Sequence, residues 1–376
     1  MSASKPELYI GLMSGTSMDG IDAALVDFSA AQPKLIATHG LPWPYDIKQA
    51  LLAAKDIPDE ALDTLGELDL ATAETFAEAC IQLLDKSPYQ SRHIIAIGNH
   101  GQTIRHRPDI AQPFSLQIGN AERLAAITGI DVISNFRTAD IKAGGQGAPL
   151  APAFHQAVFR NQDVDRSIVN IGGISNITVL PKDTTKAVTG FDCGPGNNLM
   201  DAWMSMHTGK SYDENGRLAA IGKTDMGLLA RLLLDDYFQL APPKSTGFEY
   251  FNLQWLNKHE AIDTENETFV ADMQSTLCEL TATSIIRAIN QYAGDTGEIY
   301  VCGGGAHNQE LMRRIQSLTS SDVDSTAALG VDPDWVEAMA FAWLAYRHHQ
   351  RLPGNLPPVT GASSEVILGR HTPVAG

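Results

Sequence analysis

The chain has 376 residues, of which 44% are hydrophobic and 19% are charged, a composition typical of globular proteins with large apolar cores. The length suggests about two or three domains. The net charge of −17 argues against a protein that coats nucleic acid or an anionic membrane. It does not exclude a phosphate-bearing ligand, because backbone N–H groups and a bound cation can hold phosphates without a basic patch.

The cysteines indicate a reducing compartment. Cys80, Cys193, Cys278 and Cys302 are scattered, with no Cys-x-x-Cys pair and no zinc-finger spacing, which predicts reduced thiols. Residues 1–6 carry no apolar signal core, and no apolar run is long enough to span a bilayer. The sequence therefore predicts a cytoplasmic protein with neither a nucleic-acid nor a membrane partner.

The first predicted element is a β-hairpin. The apolar run Leu8–Met13 and the alternating run 21–28 flank a turn of small and polar residues at 14–20. Within that turn, Gly15 and Gly20 would let the backbone approach a ligand, and Asp19 could hold Mg²⁺ through its waters. Thr16 and Ser17 add hydroxyl donors. The alternative is a flexible hairpin turn without a ligand.

A second hairpin is predicted in the other half of the chain. Strands 167–171 and 174–180 flank Gly172 and Gly173. Two such hairpins, each at the head of about half the chain, predict a duplicated architecture of two related α/β domains. After the first hairpin we expect strands at 94–98, 115–118 and 131–134, with a helix at 120–128 that Gly129 ends.

Helices and strands also alternate after the second hairpin. Apolar residues recur at helical spacing from 270 to 289, and a strand at 298–302 runs into Gly303, Gly304 and Gly305 before a helix at 309–317. Asp332 and Pro333 are predicted to open a last long helix, with Asp332 as its cap. This alternation predicts an α/β fold.

Three glycine-rich turns together suggest a nucleotide site. A Walker A loop is absent, because Met204 occupies the position of its first glycine ahead of Gly209-Lys210-Ser211. Taken singly, the turns at Gly172 and Gly303 are explained by tight connections between elements. Together with the first turn they match the way in which two-lobed ATPases bracket a nucleotide.

Asp192 is the sharpest candidate for catalysis. It ends a predicted strand, and Gly194-Pro195-Gly196 then turns the chain into a helix at 197–206. A carboxylate displayed at a strand end suits a general base. The alternative is an Asp that caps the following turn.

Further polar residues could bind a substrate. Arg137 could meet a carboxylate as a bidentate fork, and His100, Gln102 and Asp140 could bond to sugar hydroxyls. The alternative for this group is an interdomain ion pair or a hinge. Glu337 falls in the first turn of the last helix, where the helix dipole also favours a solvated Glu.

These segments resemble the anhydro-N-acetylmuramic acid kinases, a bacterial family within the sugar kinase, actin and chaperone ATPase superfamily. The matching stretches are 10–22, 99–103, 144–150, 170–176, 190–197 and 302–308, and they run over nearly the whole chain. The resemblance implies an α/β protein of two actin-like (ribonuclease H-like) lobes, each a mixed sheet flanked by helices, with an ATP cleft between them. It also implies a homodimer.

On this resemblance, the lobes comprise residues 1–135, with about 360–376 returning, and residues 136–359. The implied ATP-binding residues are Gly15, Thr16, Ser17, Met18, Asp19, Gly20, Ile21, Asp22, Gly172, Gly173, Gly303, Gly304, Gly305 and Asn308. Asp19 is the expected Mg²⁺ ligand. His100, Gln102, Arg137 and Asp140 are the expected sugar ligands, and Asp192 and Glu337 the expected catalytic residues.

The implied reaction converts 1,6-anhydro-N-acetylmuramic acid and ATP to N-acetylmuramic acid 6-phosphate and ADP, in peptidoglycan recycling and amino-sugar catabolism. The anhydro bridge joins C1 to O6, so O6 has no proton to remove. Asp192 would instead activate a water that attacks C1, and O6 would then attack the γ-phosphorus. Asn135 departs from the Asp expected in this family, which weakens any contact of that carboxylate with Mg²⁺ or Arg137. Cys193 replaces the commoner Thr beside the base.

Two alternatives stay open at this point. One is a kinase that acts on an ordinary amino-sugar hydroxyl. The other is a non-metabolic, actin-like ATPase in which nucleotide drives conformational change. The segment 191–198 and the scarcity of long insertions favour a kinase of a small substrate.

Overall fold

A computed structural model describes residues 5–15, 18, 20–54, 62–259, 267–294 and 296–375 of the chain. The chain divides into two compact units. Unit 1 comprises Met1–Phe154 with Trp335–Gly376, and unit 2 comprises His155–Asp334. The units change after Phe154 and Asp334, whereas the lobes expected from the sequence change after residues 135 and 359.

Groups of strands and groups of helices follow one another along the described chain. The strands are β1 (Leu8–Met13), β2 (Ile21–Asp27), β3 (Lys34–Leu41), β4 (Ile94–Asn99), β5 (Gln102–Arg107), β6 (Phe114–Ile118), β7 (Val132–Ser134), β8 (Arg166–Ile171), β9 (Ile174–Leu180), β10 (Thr189–Pro195), β11 (Glu298–Cys302), β12 (Asp322–Ser325) and β13 (Arg370–Thr372). The α-helices are α1 (Tyr45–Ala54), α2 (Leu62–Asp85), α3 (Ala121–Thr128), α4 (Arg137–Lys142), α5 (Ala151–Phe159), α6 (Asn198–Thr208), α7 (Arg217–Ile221), α8 (Met226–Leu232), α9 (Asp236–Gln239), α10 (Leu253–Asn257), α11 (Glu267–Tyr292), α12 (Gln309–Ser317), α13 (Val336–His349) and α14 (Pro357–Thr360).

The main sheet of unit 1 has the order β13-β7-β4-β1-β2-β3. Strands β1, β2 and β3 form an antiparallel meander, and β4 and β7 continue the sheet parallel to β1. Strand β13, from the C-terminal end of the chain, pairs antiparallel with β7. The carboxyl ends of β1, β4 and β7 therefore lie at one edge of this sheet, which is where open α/β sheets bind ligands.

The sheet of unit 2 repeats that arrangement with the order β10-β9-β8-β11-β12. Strands β8, β9 and β10 form the antiparallel meander, and β11 and β12 run parallel to β8. Both sheets thus place a three-strand meander beside two parallel strands, the strand order of the ribonuclease H-like fold of actin. This confirms the predicted duplicated α/β architecture.

Helix α13 belongs to unit 1 because its backbone packs directly on β1 and β4. A Cβ on Gly11 would overlap the carbonyl oxygen of Ala338, and a Cβ on Gly98 would overlap that of Phe341. Glycine at both positions lets the helix approach the sheet closely. This close packing explains why α13 belongs to the same compact unit as β1 and β4.

The start of α13 corrects one prediction. The helix begins at Val336, and Asp332 does not cap it; Asp332 Oδ1 instead accepts a hydrogen bond of 3.0 Å from the N–H of Asp334. That short Asx turn delays the helix by about one turn. The other predicted hairpins, strands and helices are confirmed to within a few residues.

In the part of the chain that the structure describes, none of the helices combines the length and apolar character that crossing a bilayer requires.

Candidate active site

The first turn is held from both sides by side chains of unit 1. Ser14 Oγ donates a hydrogen bond of 2.9 Å to the carbonyl of Gly20, and the indole N–H of Trp43 donates to Ser14 Oγ at 3.0 Å. The N–H of Met18 donates to the carbonyl of Gly15 at 3.2 Å, with Met18 in the left-handed region at φ 55°. Ser14 and Trp43 are buried, so the base of this turn has a defined shape.

Several predicted phosphate ligands cannot be placed in that turn. Thr16, Ser17 and Asp19 lie outside the described residues. Ile21 is fully buried in the core of unit 1, and Asp22 is half-buried opposite Met13 in the β1–β2 register.

A buried polar chain leads from the end of β4 back to the first turn. The N–H of Gly101 donates to Asn99 Oδ1 at 3.0 Å, and Gly101 has a φ of 71°. This tight turn reverses the chain, so that Gln102 Nε2 donates to the carbonyl of Gly15 at 3.2 Å. Gln102 is fully buried, and the structure therefore brings two predicted site segments together.

His100 and Arg137 contact each other directly. An Arg137 Nη donates to His100 Nε2 at 2.8 Å, and since guanidinium only donates, Nε2 is the unprotonated nitrogen of the ring. Burial, together with the charge of Arg137, lowers the pKa of His100 to about 3. His100 is consequently neutral at physiological pH and can offer a hydrogen bond without carrying charge.

Arg137 is largely buried and partly engaged by its own unit. Its second Nη donates to the carbonyl of Gly147 at 2.8 Å. Burial lowers its pKa to about 10, and the negative charges of Glu337 and Asp140 oppose that shift. Among the described residues, nothing accepts a hydrogen bond from Arg137 Nε. The guanidinium is therefore charged and oriented, with two nitrogens already bonded.

Asp140 accepts hydrogen bonds from three groups of unit 1. The N–H of Gly147 donates to Oδ2, and both Asn355 Nδ2 and Thr360 Oγ1 donate to Oδ1, each at 2.7 Å. The side chain is fully buried. These bonds tie α4 to the segment before and within α14. The expected bond of Asp140 to a sugar hydroxyl stays a prediction.

A cavity of about 340 Å³ opens at the carboxyl ends of β4 and β7. Its lining is mostly polar and comprises Asp69, Asn99, His100, Gly101, Ser115, Leu116, Gln117, Ile118, Gly119, Asn120, Ala121, Glu122, Ser134, Asn135, Thr138, Arg370 and Thr372. Amides and hydroxyls of this kind suit sugar hydroxyls, and the volume lies in the usual range for small-molecule sites. Sequence reasoning singled out the stretch 99–103 and Asn135 of this lining, but not the residues that β6, α2 and β13 contribute from distant positions.

Asn135, which lines this cavity, has an unusual backbone conformation. It adopts the left-handed conformation at φ 56°, which Asn and Asp tolerate better than other non-glycine residues. Thr138 Oγ1 donates to Asn135 Oδ1 at 2.6 Å. The amide thus fits the turn between β7 and α4.

The second glycine turn lies against the turn that follows β10 in unit 2. The N–H of Gly196 donates to the carbonyl of Gly173 at 2.9 Å, and the N–H of Asn197 donates to that of Gly172 at 2.8 Å. A Cβ on Gly196 would overlap the Gly172 carbonyl. Within the described part of the chain, no group accepts a hydrogen bond from the N–H of Gly172 or Gly173. Free backbone donors at a turn without side chains fit a phosphate.

The third glycine turn touches the second. Gly303, at φ 76°, leaves no room for a Cβ because Asn170 Oδ1 and the Ile171 backbone lie against it, and Gly305 packs on the Ile171 side chain. Asn308 caps α12, since its Oδ1 accepts a hydrogen bond of 3.0 Å from the N–H of Leu311. The predicted nucleotide turns of unit 2 are therefore neighbours in space.

Asp192 lies within β10, which continues to Pro195 and is irregular at Cys193. Its Oδ2 accepts a hydrogen bond of 2.9 Å from the N–H of Thr246. Burial raises the pKa of Asp192 to about 6, while the Thr246 N–H and the charge of Lys244 oppose that rise. A carboxylate with this pKa is ionised at neutral pH and a better proton acceptor than an exposed Asp.

The segment 244–251 holds Asp192 and was missed by the sequence analysis. The N–H of Asp192 donates to the carbonyl of Lys244 at 3.1 Å, and the Phe248 ring lies against Gly173 so closely that a Cβ there would overlap it. This segment therefore contacts both the carboxylate and the second glycine turn. The run of small residues 245–247 after two prolines is the signal that could have marked it as a site loop.

Glu337 occupies the first turn of α13, as predicted, and its charge opposes the lowering of the Arg137 pKa by burial. The residues predicted for the site thus form one group in unit 1, around His100, Arg137 and Glu337, and one in unit 2, around Asp192 and the glycine turns.

Metal ligands are sparse among the described residues, which contain no group of three or more His, Cys, Asp or Glu placed to hold an ion. The predicted ligand Asp19 lies outside them. An ATP-bound Mg²⁺ takes most of its ligands from phosphates and water and needs only one or two carboxylates. The described residues are compatible with that mode of binding.

Comparisons with known proteins point to one family. A family profile described as anhydro-N-acetylmuramic acid kinase matches residues 7–374. A relative of that name from Coxiella burnetii (strain RSA 493 / Nine Mile phase I) is 49% identical over 365 residues, covering 96% of this chain and 96% of its own. Another from Shewanella sp. (strain ANA-3) is 52% identical over 362 residues, covering 96% and 97%. Among solved structures, component A of (R)-2-hydroxyglutaryl-CoA dehydratase from Acidaminococcus fermentans is 9% identical with a TM-score of 0.48, covering 91% of this chain and 98% of that one. That last similarity is too remote to inform on function.

Proposed function

The chain belongs to the anhydro-N-acetylmuramic acid kinase family, and we propose that it uses ATP to open 1,6-anhydro-N-acetylmuramic acid and phosphorylate O6. The products are N-acetylmuramic acid 6-phosphate and ADP. Membership of the family supports the reaction. The role of Asp192 as the base is supported by one observation on this chain: its carboxylate is largely buried, and its pKa is raised to about 6.

Asp192 is the general base in this proposal. It removes a proton from the water whose oxygen forms the new bond to C1, and the C1–O6 bond breaks. The electron pair stays on O6, which attacks the γ-phosphorus of ATP while ADP leaves. One water is consumed and one carboxylate serves both bond changes, so no separate base is needed for O6.

The unit 1 residues are proposed to bind the sugar. His100 lines the cavity at the ends of β4 and β7 and is neutral; Nε2 is taken by Arg137, and Nδ1 is buried without a partner among the described residues, which leaves Nδ1 as the donor proposed for a sugar oxygen. Gln102, Arg137 and Asp140 are engaged with their own unit; Arg137 orients His100, and Asp140 anchors α4. Glu337 is proposed as a second catalytic residue.

The glycine turns are proposed to hold ATP. The free N–H groups of Gly172 and Gly173 suit phosphate oxygens, and the segment from Gly15 to Asp22 is proposed as a phosphate loop. Gly303, Gly304, Gly305 and Asn308 are proposed on the nucleoside side. When bound, Mg²⁺ neutralises charge on the transferred phosphoryl group, and Asp19 is its proposed ligand.

The finer biological setting is proposed from the family alone. On this basis we propose that the protein is a cytoplasmic homodimer that acts in peptidoglycan recycling and amino-sugar catabolism.

An isotope experiment tests the proposed reaction. Anhydro sugar labelled with ¹⁸O in its bridge is converted with Mg-ATP, and the product is examined by ³¹P NMR. We expect the isotope shift of a phosphate ester whose bridging oxygen is ¹⁸O, since O6 stays on C6. A phosphate ester without the label, or ADP release without a sugar phosphate, would contradict the proposal.

A further inference from the structure

A second cavity, of about 450 Å³, lies in unit 2 behind the strand that carries Asp192. Its lining comprises Cys193, Phe238, Gln239, Lys244, Ser284, Arg287, Ala288, Asn290, Gln291 and Tyr292. The charged side chains in this lining are Lys244 and Arg287, both cationic, although the whole chain carries a net charge of −17. The lining itself therefore contributes two cations and no carboxylate, and the Asp192 carboxylate faces Lys244 from outside the lining.

Several hydrogen-bond donors around the cavity are available to bind a ligand. Lys244 Nζ donates one hydrogen bond, of 3.2 Å, to the carbonyl of Tyr237, and an ammonium has three donors. Its position is defined, because the ammonium lies 4.7 Å from the centre of the Tyr237 ring and 6.0 Å from that of Phe191. Arg287 is exposed at the rim, and the amides of Gln239, Asn290 and Gln291 add neutral donors.

We propose that this cavity binds a small phosphate-bearing anion, with Lys244 at its inner end and Arg287 at its rim, and that the bound anion tunes the catalytic carboxylate. Guanidinium and ammonium groups flanked by amides are the usual partners of phosphate oxygens. The shared chemistry is a phosphate group, supplied by inorganic phosphate or by a sugar phosphate monoester.

The coupling to Asp192 runs through Lys244. The groups facing Asp192 are Lys244 and the Thr246 N–H from the 244–246 segment, Tyr237 from α9 and Cys193 from its own strand. Burial raises the pKa of both Tyr237 and Cys193 well above neutral, so neither changes charge near pH 7. An anion at Lys244 would offset the one positive charge that lowers the pKa of Asp192. The effect on catalysis rests on the proposed function of Asp192, whereas the binding of the anion does not.

Binding is tested on the whole chain by calorimetric titration with inorganic phosphate and, separately, with N-acetylglucosamine 6-phosphate, both in the presence of Mg-ADP. Arg287→Gln removes the rim charge at an exposed position and leaves the core intact. Lys182→Gln is the matched control, because Lys182 is an exposed cation of unit 2 outside the cavity. We expect Arg287→Gln to weaken binding at least about tenfold, in line with the loss of one charged hydrogen bond, and Lys182→Gln to leave it unchanged.

The two ligands distinguish the source of the phosphate. Tighter binding of the monoester assigns the cavity to a sugar phosphate, and tighter binding of inorganic phosphate assigns it to the free ion. Absence of binding by either ligand at millimolar concentration, or equal binding by the Arg287→Gln and unchanged chains, would overturn the proposal.

The tuning is tested separately by rate measurements. In the unchanged chain, saturating ligand should move the acid limb of the rate profile to higher pH, and in Arg287→Gln the same concentration should not. Anion binding without such a shift would overturn the coupling to Asp192 while leaving the site itself supported. A chain that binds the anion but turns over no anhydro sugar would contradict the proposed function and not the anion site.

Discussion

Asp192 Oδ2 accepts a hydrogen bond of 2.9 Å from the backbone N–H of Thr246, a residue 54 positions away in the sequence. The donor is a backbone N–H, which does not titrate. It therefore orients the carboxylate but cannot act as a base in its place. An amide at position 192 would retain an oxygen acceptor for the same bond. The contribution of the negative charge can therefore be separated from that of the geometry.

Replacement of Asp192 by Asn should remove turnover and preserve structure. We expect the rate of anhydro-sugar phosphorylation to fall by at least about 100-fold, the usual scale for loss of a general base. ATP binding, measured by calorimetry, should stay unchanged. Asp236→Asn is a suitable control, because Asp236 is an exposed Asp of the same unit and should keep full activity. A rate near that of the unchanged chain in Asp192→Asn would remove Asp192 from the mechanism.

The activity should decline in acid with an apparent pKa near that of Asp192. Burial raises this pKa from 3.8 to about 6, and the base must be ionised to accept a proton. The profile of kcat/KM against pH, which reports the free enzyme, should therefore fall below pH 6. An acid limb near pH 4 would mean that Asp192 is not the limiting base.

Stability should depend on the same ionisation in the opposite sense. Because the pKa of Asp192 is raised in the folded chain from 3.8 to about 6, ionising this carboxylate destabilises the fold. This loss of stability is absent below pH 3.8 and complete above pH 6. Asp192→Asn should thus raise the free energy of unfolding by about 1–3 kcal/mol at pH 8, with the difference vanishing near pH 4. Denaturant unfolding at the two pH values measures both. A variant that is equally destabilised at both pH values would contradict the assigned burial.

Lys244 should set the pH at which activity declines in acid without itself taking part in the reaction. Its positive charge lowers the pKa of Asp192, so Lys244→Gln should move the limb to higher pH. Lys244→Arg keeps the charge and should restore the limb to its original position. Equal profiles for Gln and Arg at this position would show that the ammonium acts through packing on Tyr237 and not through charge.

Gly11 should be needed for the packing of α13 and hence for the placement of Glu337. A Cβ at Gly11 would overlap the Ala338 carbonyl, a backbone atom that cannot move aside, so Gly11→Ala should lower stability by about 1–3 kcal/mol. Gly66 in α2 has open space around its Cβ position, and Gly66→Ala should instead stabilise by about 0.5–1 kcal/mol. Thermal unfolding compares the two. Similar effects at both positions would contradict the close packing of α13 on β1.

The sequence predicts the local parts of this fold well. Hairpins show as alternation around small residues, as at Gly172 and Gly173, and helices show as periodicity, as in α11. Both patterns are local, so they can be recognised without knowing which distant segments pack nearby. The start of α13 was misjudged because an Asp before a Pro suits a cap and an Asx turn equally, and only the neighbouring chain decides between them.

The site is less predictable because its contacts are long-range. Thr246 reaches Asp192, and Asn355 and Thr360 reach Asp140 from more than 200 positions away. The pKa of Asp192 likewise depends on its burial and on Lys244 and Thr246, more than 50 positions along the chain, which no local pattern encodes. Arg137 illustrates the same point, since its contact with His100, 37 positions away, forms only where the end of β4 meets α4.

The most direct test is ADP release from Mg-ATP with three additions: 1,6-anhydro-N-acetylmuramic acid, N-acetylmuramic acid, and no sugar. The account predicts rapid release with the anhydro sugar and little with the other two. Turnover on N-acetylmuramic acid alone would indicate an ordinary sugar kinase. Release at the same rate without any sugar would indicate an actin-like ATPase, and either result would contradict the proposed reaction.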